Sequence, residues 1–180
     1  MTTTTTTQPM RAISVEKVTL NCGCGTDHTR LEKSVKLLQI ITGRSPVKTI
    51  TELRIPGWGL RKGLPIGAKV TLRGEEATAV LKRLIEAREM KLRQSMFDNN
   101  GNIAFGVHEY IDIPGVEYDP TIGIIGLEVA VTLKRPGFRT KVRKYQNRAV
   151  PKKHRITQVE AIDFAKKEWG VKISDEEESE

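Results

Sequence analysis

Both cysteines of the chain fall within three residues, in Leu20-Asn21-Cys22-Gly23-Cys24-Gly25-Thr26. Thiols this close could hold a metal, form a redox pair, or do no chemistry. Zinc needs about four ligands, usually supplied in pairs. Here one C-x-C has a single nearby imidazole, His28, while His108 and His154 lie far along the chain. The C-x-x-C redox spacing is absent, and a disulfide across one residue would be strained. Gly23-Cys24-Gly25-Thr26-Asp27-His28 begins like a dinucleotide-binding glycine loop, but histidine stands where the third glycine belongs. What survives is geometric. A strand ends, glycines allow a tight turn, and free N–H groups at the start of a helix could face a phosphate.

Two longer stretches carry more chemistry. Leu53 to Arg73 holds Arg54, Arg61, Lys62, Lys69 and Arg73 and no acid, with Trp58 between Gly57 and Gly59. A tryptophan in such a loop suits stacking on a sugar or base while the cations meet phosphates. The alternative is a tryptophan folded back as a lid on the core. Lys134 to Arg155 holds ten Lys and Arg and no acid. A run of this kind repels itself, is expected to be poorly ordered alone, and could order on RNA through phosphate contacts. Its candidates are Arg139, Lys141, Arg143, Lys144, Arg148, Lys152, Lys153 and Arg155, with Tyr145 able to stack. Catalysis has little to work with. The histidines are scattered, and no serine or cysteine sits in a recognisable nucleophile setting.

The elements that must position these residues follow from periodicity. Ser14 to Leu20 is β-branched and predicts a strand. Thr29-Arg30-Leu31-Glu32 has the form of a capping box, opening a helix that Gly43 and Pro46 stop. Strands are predicted over Val47 to Leu53 and Ala68 to Arg73, with a glycine-rich loop over Ile55 to Leu64 between them. Ala77, Val80, Leu81, Leu84 and Ile85 make an apolar helical stripe. Asn99-Asn100-Gly101-Asn102 has hairpin-turn chemistry, before alternation at Ile103, Phe105 and Val107. Leu127, Val129, Val131 and Leu133 alternate with Glu128, Ala130 and Thr132, as a half-buried strand does. Thr157 to Glu160 is a second capping box, and its helix ends at Gly170. The fold class is therefore α+β, a largely antiparallel sheet packed with helices, in one domain with basic loops.

Size and charge agree with a binding surface. The 180 residues suffice for one domain over 11–173, between a threonine-rich disordered tail at 1–10 and an acidic one at 174–180. No apolar run approaches the ~20 residues of a membrane span, and two cysteines suit a reducing, intracellular setting. Net charge is +8, but five acids crowd the last six residues, so the remainder carries +13. A body that basic points to a polyanionic partner, most simply nucleic acid. The acidic end serves either solubility or restraint of non-specific RNA binding.

Taken in order, the motifs VEKVTLNCGCG, ITGRSP, IPGWGLRKGLPIGAKVTLRG, FDNNGNIAFGVHEY, GVEYD and GLEVAVTL resemble the universal large-subunit ribosomal protein family called L five. The similarity covers Ala12 to Leu133, and the following RPGFRTKVRK and KKHRITQVEAIDF resemble its archaeal and eukaryotic branch. The resemblance implies a non-enzymatic protein of the cytoplasmic ribosome, needing no cofactor or metal and touching no membrane. It implies 5S rRNA bound in the central protuberance, with 23S-type rRNA and neighbouring large-subunit proteins as further partners. Asn21 and Thr71 match family residues that contact RNA. Arg44 stands where many members have glutamine, and Trp58 where many have phenylalanine. Lys69 and Arg73 flank Thr71 as phosphate contacts. The loop with Gly57, Trp58, Gly59, Leu60, Arg61 and Lys62 corresponds to one that reaches toward peptidyl-site tRNA. Two other readings stay open: an RNA-binding regulator outside the ribosome, and an enzyme holding an anionic substrate at the Gly23–Gly25 turn.

Overall fold

The computed structural model describes residues 8–174. Its elements run β1 (Ser14–Gly23), α1 (His28–Thr42), β2 (Val47–Ile50), β3 (Pro65–Leu72), α2 (Gly74–Glu86), β4 (Lys91–Arg93), β5 (Ile103–Val107), β6 (Leu127–Lys134), α3 (Gln158–Trp169) and β7 (Lys172–Ser174). The large sheet has the order β2-β3-β1-β6-β5, and every pair in it is antiparallel. The expected α+β class is thus the one observed.

Alternation decides which face is inside. Val18, Leu20 and Cys22 of β1 are buried beside Ala68, Val70 and Leu72 of β3 and Val129, Val131 and Leu133 of β6. Onto this face α1 packs Leu31, Leu37, Leu38 and Ile41, and α2 packs the predicted stripe Ala77, Val80, Leu81, Leu84 and Ile85. Each large apolar side chain buried here contributes roughly 1.5–3 kcal/mol. A one-residue slip of a central strand would turn several outward and exceed the net stability of a small domain. Residues of α3, including Ala161, Ala165 and Trp169, join the same core.

Several boundaries differ from the predicted ones. β1 runs on to Gly23, so Asn21 lies within the strand. Thr29 does not cap α1. The N-cap is Asp27, whose carboxylate accepts from the Thr29 N–H at 2.8 Å, the Thr29 hydroxyl at 2.7 Å and the Arg30 N–H at 3.2 Å. Asp27 wins because its carboxylate reaches two of the helix's free N–H groups. The capping box at Thr157 and Glu160 forms as predicted. β2 stops at Ile50, and β3 begins earlier, at Pro65. Periodicity missed β4 and β7, three-residue strands that pair in parallel as a separate small sheet. Such short strands carry almost no pattern. Pro9–Arg11 forms a 3-10 turn and Ser174 closes β7; the rest of the expected tails lies outside the described residues.

The basic stretch after β6 is tied to the body of the fold at its first arginine. Arg135 turns inward, 4% exposed, and donates to the Glu160 carboxylate at 2.7 Å and to the His154 and Arg155 carbonyls at 3.4 and 3.2 Å. Phe138 meets the His154 ring edge-on at 5.8 Å. One arginine of the run therefore works as an internal clamp.

Candidate nucleic-acid interface

The sheet face turned away from α1 and α2 carries the polar half of each strand's alternation. In register, Asn21 of β1 pairs with Lys69 of β3 on one side and Glu128 of β6 on the other. One row along, Thr19 pairs with Thr71 and with Ala130. Ala104 and Gly106 of β5 continue these rows. Three expected RNA contacts, Asn21, Lys69 and Thr71, are thereby brought onto one surface. Lys69 and Thr71 are exposed, and Asn21 is half-buried with its side-chain amide donating to the Glu128 carboxylate at 3.1 Å. Arg73, at the end of β3, stands 3.8 Å from Glu16 and is itself exposed.

Arg44 is not part of that cluster. It lies just beyond α1 and grips Glu76 in the first turn of α2 with two nitrogens, at 2.8 and 3.1 Å. Those hydrogen bonds and the guanidinium charge hold the Glu76 carboxyl below its ordinary range. Both side chains are more than half exposed. An exposed pair of this kind is weak enough to be exchanged for a phosphate.

Between β2 and β3 the chain forms a pinned loop. Thr51 closes its base: its N–H and hydroxyl both donate to the Leu64 carbonyl, and its carbonyl accepts from Gly63. Ile55 and Leu60 exchange backbone hydrogen bonds at 3.0 and 3.1 Å, enclosing a Pro56–Trp58 turn. Gly59 there has φ +66°, a conformation that favours glycine. Trp58 is 73% exposed, so the lid reading is overturned. The residue that folds inward is Leu60, which is buried and cannot face a partner. Arg54, Gly57, Gly59, Arg61 and Lys62 remain exposed around the tryptophan.

The cysteine motif is interior. Cys22 and Cys24 are buried free thiols, and Cys24 lies 3.2 Å from the Ser34 hydroxyl. Burial, with the neighbouring Cys24 and Glu128, pushes the Cys22 thiol up to about 12. The close approach that needs a small residue is on β3, at Gly67, and not at the cysteines. A Cβ on Gly67 would stand 2.7 Å from the Cys22 carbonyl oxygen. Among the described residues, no group of three His, Cys, Asp or Glu gathers as a metal site requires. Nor does the turn await a phosphate, because the Asp27 carboxylate already occupies the helix start. A thiol reagent at pH 8 is expected to label the native protein only as fast as it opens, and both cysteines at once in denaturant. Rapid native labelling would show that the motif is accessible.

Along the basic stretch, Arg139, Lys141, Lys144, Arg148, Lys152, Lys153 and Arg155 are exposed, and Arg143 is half-buried. Two of these arginines shape the segment. Arg143 donates to the Gln146 carbonyl at 2.8 Å and Arg155 to that of Val150 at 3.1 Å. Tyr145 is 76% exposed, with the Lys144 ammonium 5.7 Å from its ring centre.

An antiparallel sheet covered by helices on one face, with cations on its open face, its loop and its basic C-terminal segment, defines an α+β protein with surfaces suited to a polyanion. The family model described as "Ribosomal protein L5" matches residues 8–61, and the model for the C-terminus of the same ribosomal family matches 65–164. The chain is 47% identical over 164 residues to a "Large ribosomal subunit protein uL5" of Sulfolobus acidocaldarius, covering 91% of this chain and 92% of that one. It is 48% identical to the protein of that name from Nanoarchaeum equitans, covering 92% and 98%, and 46% identical to that of Nitrosopumilus maritimus, covering 94% and 98%. The chain belongs to the ribosomal protein L5 family, in its archaeal form, and that family is structural rather than enzymatic.

Two residues that matter in the structure escape sequence reasoning. Arg135 sits inside a run where every cation looks alike. Glu128 reads only as an outward strand position, because its meeting with Asn21 depends on β1–β6 register.

Proposed function

We propose that this protein anchors 5S rRNA in the large ribosomal subunit and directs the loop over 56–62 toward peptidyl-site tRNA. The observation that carries the reading is the open sheet face, where Asn21, Lys69 and Thr71 stand side by side in register. Lys69 and Arg73 neutralise phosphates, Thr71 and Asn21 fix register by hydrogen bonds, and the exposed Trp58 loop is a separate contact. The basic segment over 139–155 meets 23S-type rRNA. The rival enzyme reading loses its anion site, because Asp27 fills the helix start beside the Gly23–Gly25 turn.

The test is affinity for 5S rRNA against an unrelated structured RNA of similar length, each at several salt concentrations. Preference for 5S rRNA by at least ~100-fold is expected, with a log–log salt slope of roughly −0.9 per duplex phosphate contacted. Equal affinity for both RNAs would leave only non-specific binding. Lys69→Ala is expected to weaken binding and to flatten that slope by about one contact.

A further inference from the structure

Glu128 places a carboxylate on a face that is to meet a polyanion, between Asn21 on β1 and Gly106 on β5. An ionised carboxylate only accepts hydrogen bonds. The amide nitrogen of Asn21 must therefore be the atom turned toward it, as the 3.1 Å contact has it. Asn21 is left with its carbonyl oxygen outward, and Glu128 with its second carboxylate oxygen, for which the described residues supply no hydrogen bond. The two free oxygens are both acceptors, and neither can hydrogen-bond a phosphate; the second N–H of the Asn21 amide is the one donor left at the seam.

We propose that Asn21 and Glu128 form an acceptor subsite for a hydrogen-bond donor edge of RNA, either a ribose 2′-hydroxyl or a guanine imino and amino edge. This rests on the reading of the open face as the RNA face. On that face the work divides by strand. Lys69 and Thr71 of β3 offer donors to phosphate, while the β1–β6 seam accepts. The bed beside the seam is low, because its next positions are Ala104, Gly106 and Ala130. A sugar or base edge can approach the two oxygens there without meeting a long side chain. A wide, shallow RNA minor groove displays such donors, and the 2′-hydroxyl is the group that separates RNA from DNA. Glu128 is then both a contact and the positioning residue that fixes which way the Asn21 amide points.

Glu128→Gln is the discriminating substitution. The glutamine oxygen takes over the Asn21 amide, and its NH2 group turns outward, so an acceptor becomes a donor at nearly constant shape. If phosphate lies opposite, losing the negative charge tightens 5S rRNA binding. If a donor lies opposite, affinity falls at least ~10-fold, one lost charged hydrogen bond, with the salt slope unchanged. Asn21→Asp alone sets two carboxylates against each other and weakens binding. The pair Asn21→Asp with Glu128→Gln restores an internal bond and an outward acceptor, and should recover affinity to within ~3-fold. Interference mapping with 5S rRNA carrying 2′-deoxy nucleotides, or inosine for guanosine, separates the two donor sources. One analogue class should interfere with wild-type binding and lose that effect with Glu128→Gln. Neutral or tighter binding by Glu128→Gln, while Lys69→Ala still weakens binding, overturns the acceptor subsite and leaves the RNA face standing. No effect of Lys69→Ala overturns the RNA face itself.

Discussion

Glu160→Gln is expected to destabilise the fold by about 3 kcal/mol, and Arg135→Met by distinctly less, although both break the same ion pair. The guanidinium is 4% exposed while the carboxylate is 38% exposed, so the partners do not share the burden of burial equally. Removing the carboxylate's charge strands a buried cation whose Nε already has no hydrogen-bond partner. Glutamine is itself a capping-box residue, so the start of α3 is kept and the charge effect is isolated. Methionine at 135 fills much of the same volume with no charge. Glu160 can then turn to solvent while still accepting from the Thr157 N–H. Arg135→Met should therefore cost only about 1–2 kcal/mol for the lost hydrogen bonds, and the double variant should be no worse than Arg135→Met alone. Urea unfolding of the three variants measures this ordering. If Arg135→Met proves the more damaging, the pair adds net stability rather than merely neutralising a buried charge. Either way the clamp ties the chain just beyond β6 to α3 and so sets where the exposed cations over 139–155 stand.

The helices and central strands are legible because each has a long period and a single buried face. The stripe from Ala77 to Ile85 and the alternation from Leu127 to Leu133 could hardly be read otherwise, and both are present. Misreadings arise where local chemistry offers two partners. Thr29 and Asp27 are both good caps, and the carboxylate prevails because it reaches two N–H groups. The site is legible by residue type but not by grouping. Lys69 and Arg44 look equivalent in a sequence, yet one faces outward beside Asn21 and the other lies away from that face, paired with Glu76. Strand register and ion pairing decide such matters, and both join residues far apart in the chain. The count of exposed cations misleads in the same way. Arg135 belongs to the basic run by composition and to the core by position.

Trp58→Ala is expected to leave the midpoint of unfolding nearly unchanged while weakening binding to the loop's partner by about 1–3 kcal/mol, the range for loss of one stacked base. Stability and binding come apart here because the indole is not part of what holds the loop. Trp58 is 73% exposed, so little apolar burial is lost with it. The loop keeps its shape through Thr51, through the Ile55–Leu60 backbone pair and through the buried Leu60, none of which involves the indole. A large aromatic surface held in water by a pinned loop has a cost unless something covers it in the assembled particle, and the surrounding Arg54, Arg61 and Lys62 favour a nucleic acid as that cover. Two ligands tell which one. Weaker binding to 5S rRNA alone would place the ring on the RNA proposed for Asn21 and Thr71. Unchanged 5S rRNA affinity, with reduced occupancy of peptidyl-site tRNA on ribosomes carrying the variant, would place it on tRNA, the outcome expected of a loop that acts apart from the sheet face. Trp58→Phe should restore most of either contact, since a smaller ring still stacks. Loss of folding in Trp58→Ala, or full activity in both assays, would remove the tryptophan from the RNA-contacting surface and leave the loop's arginines and lysine to act alone.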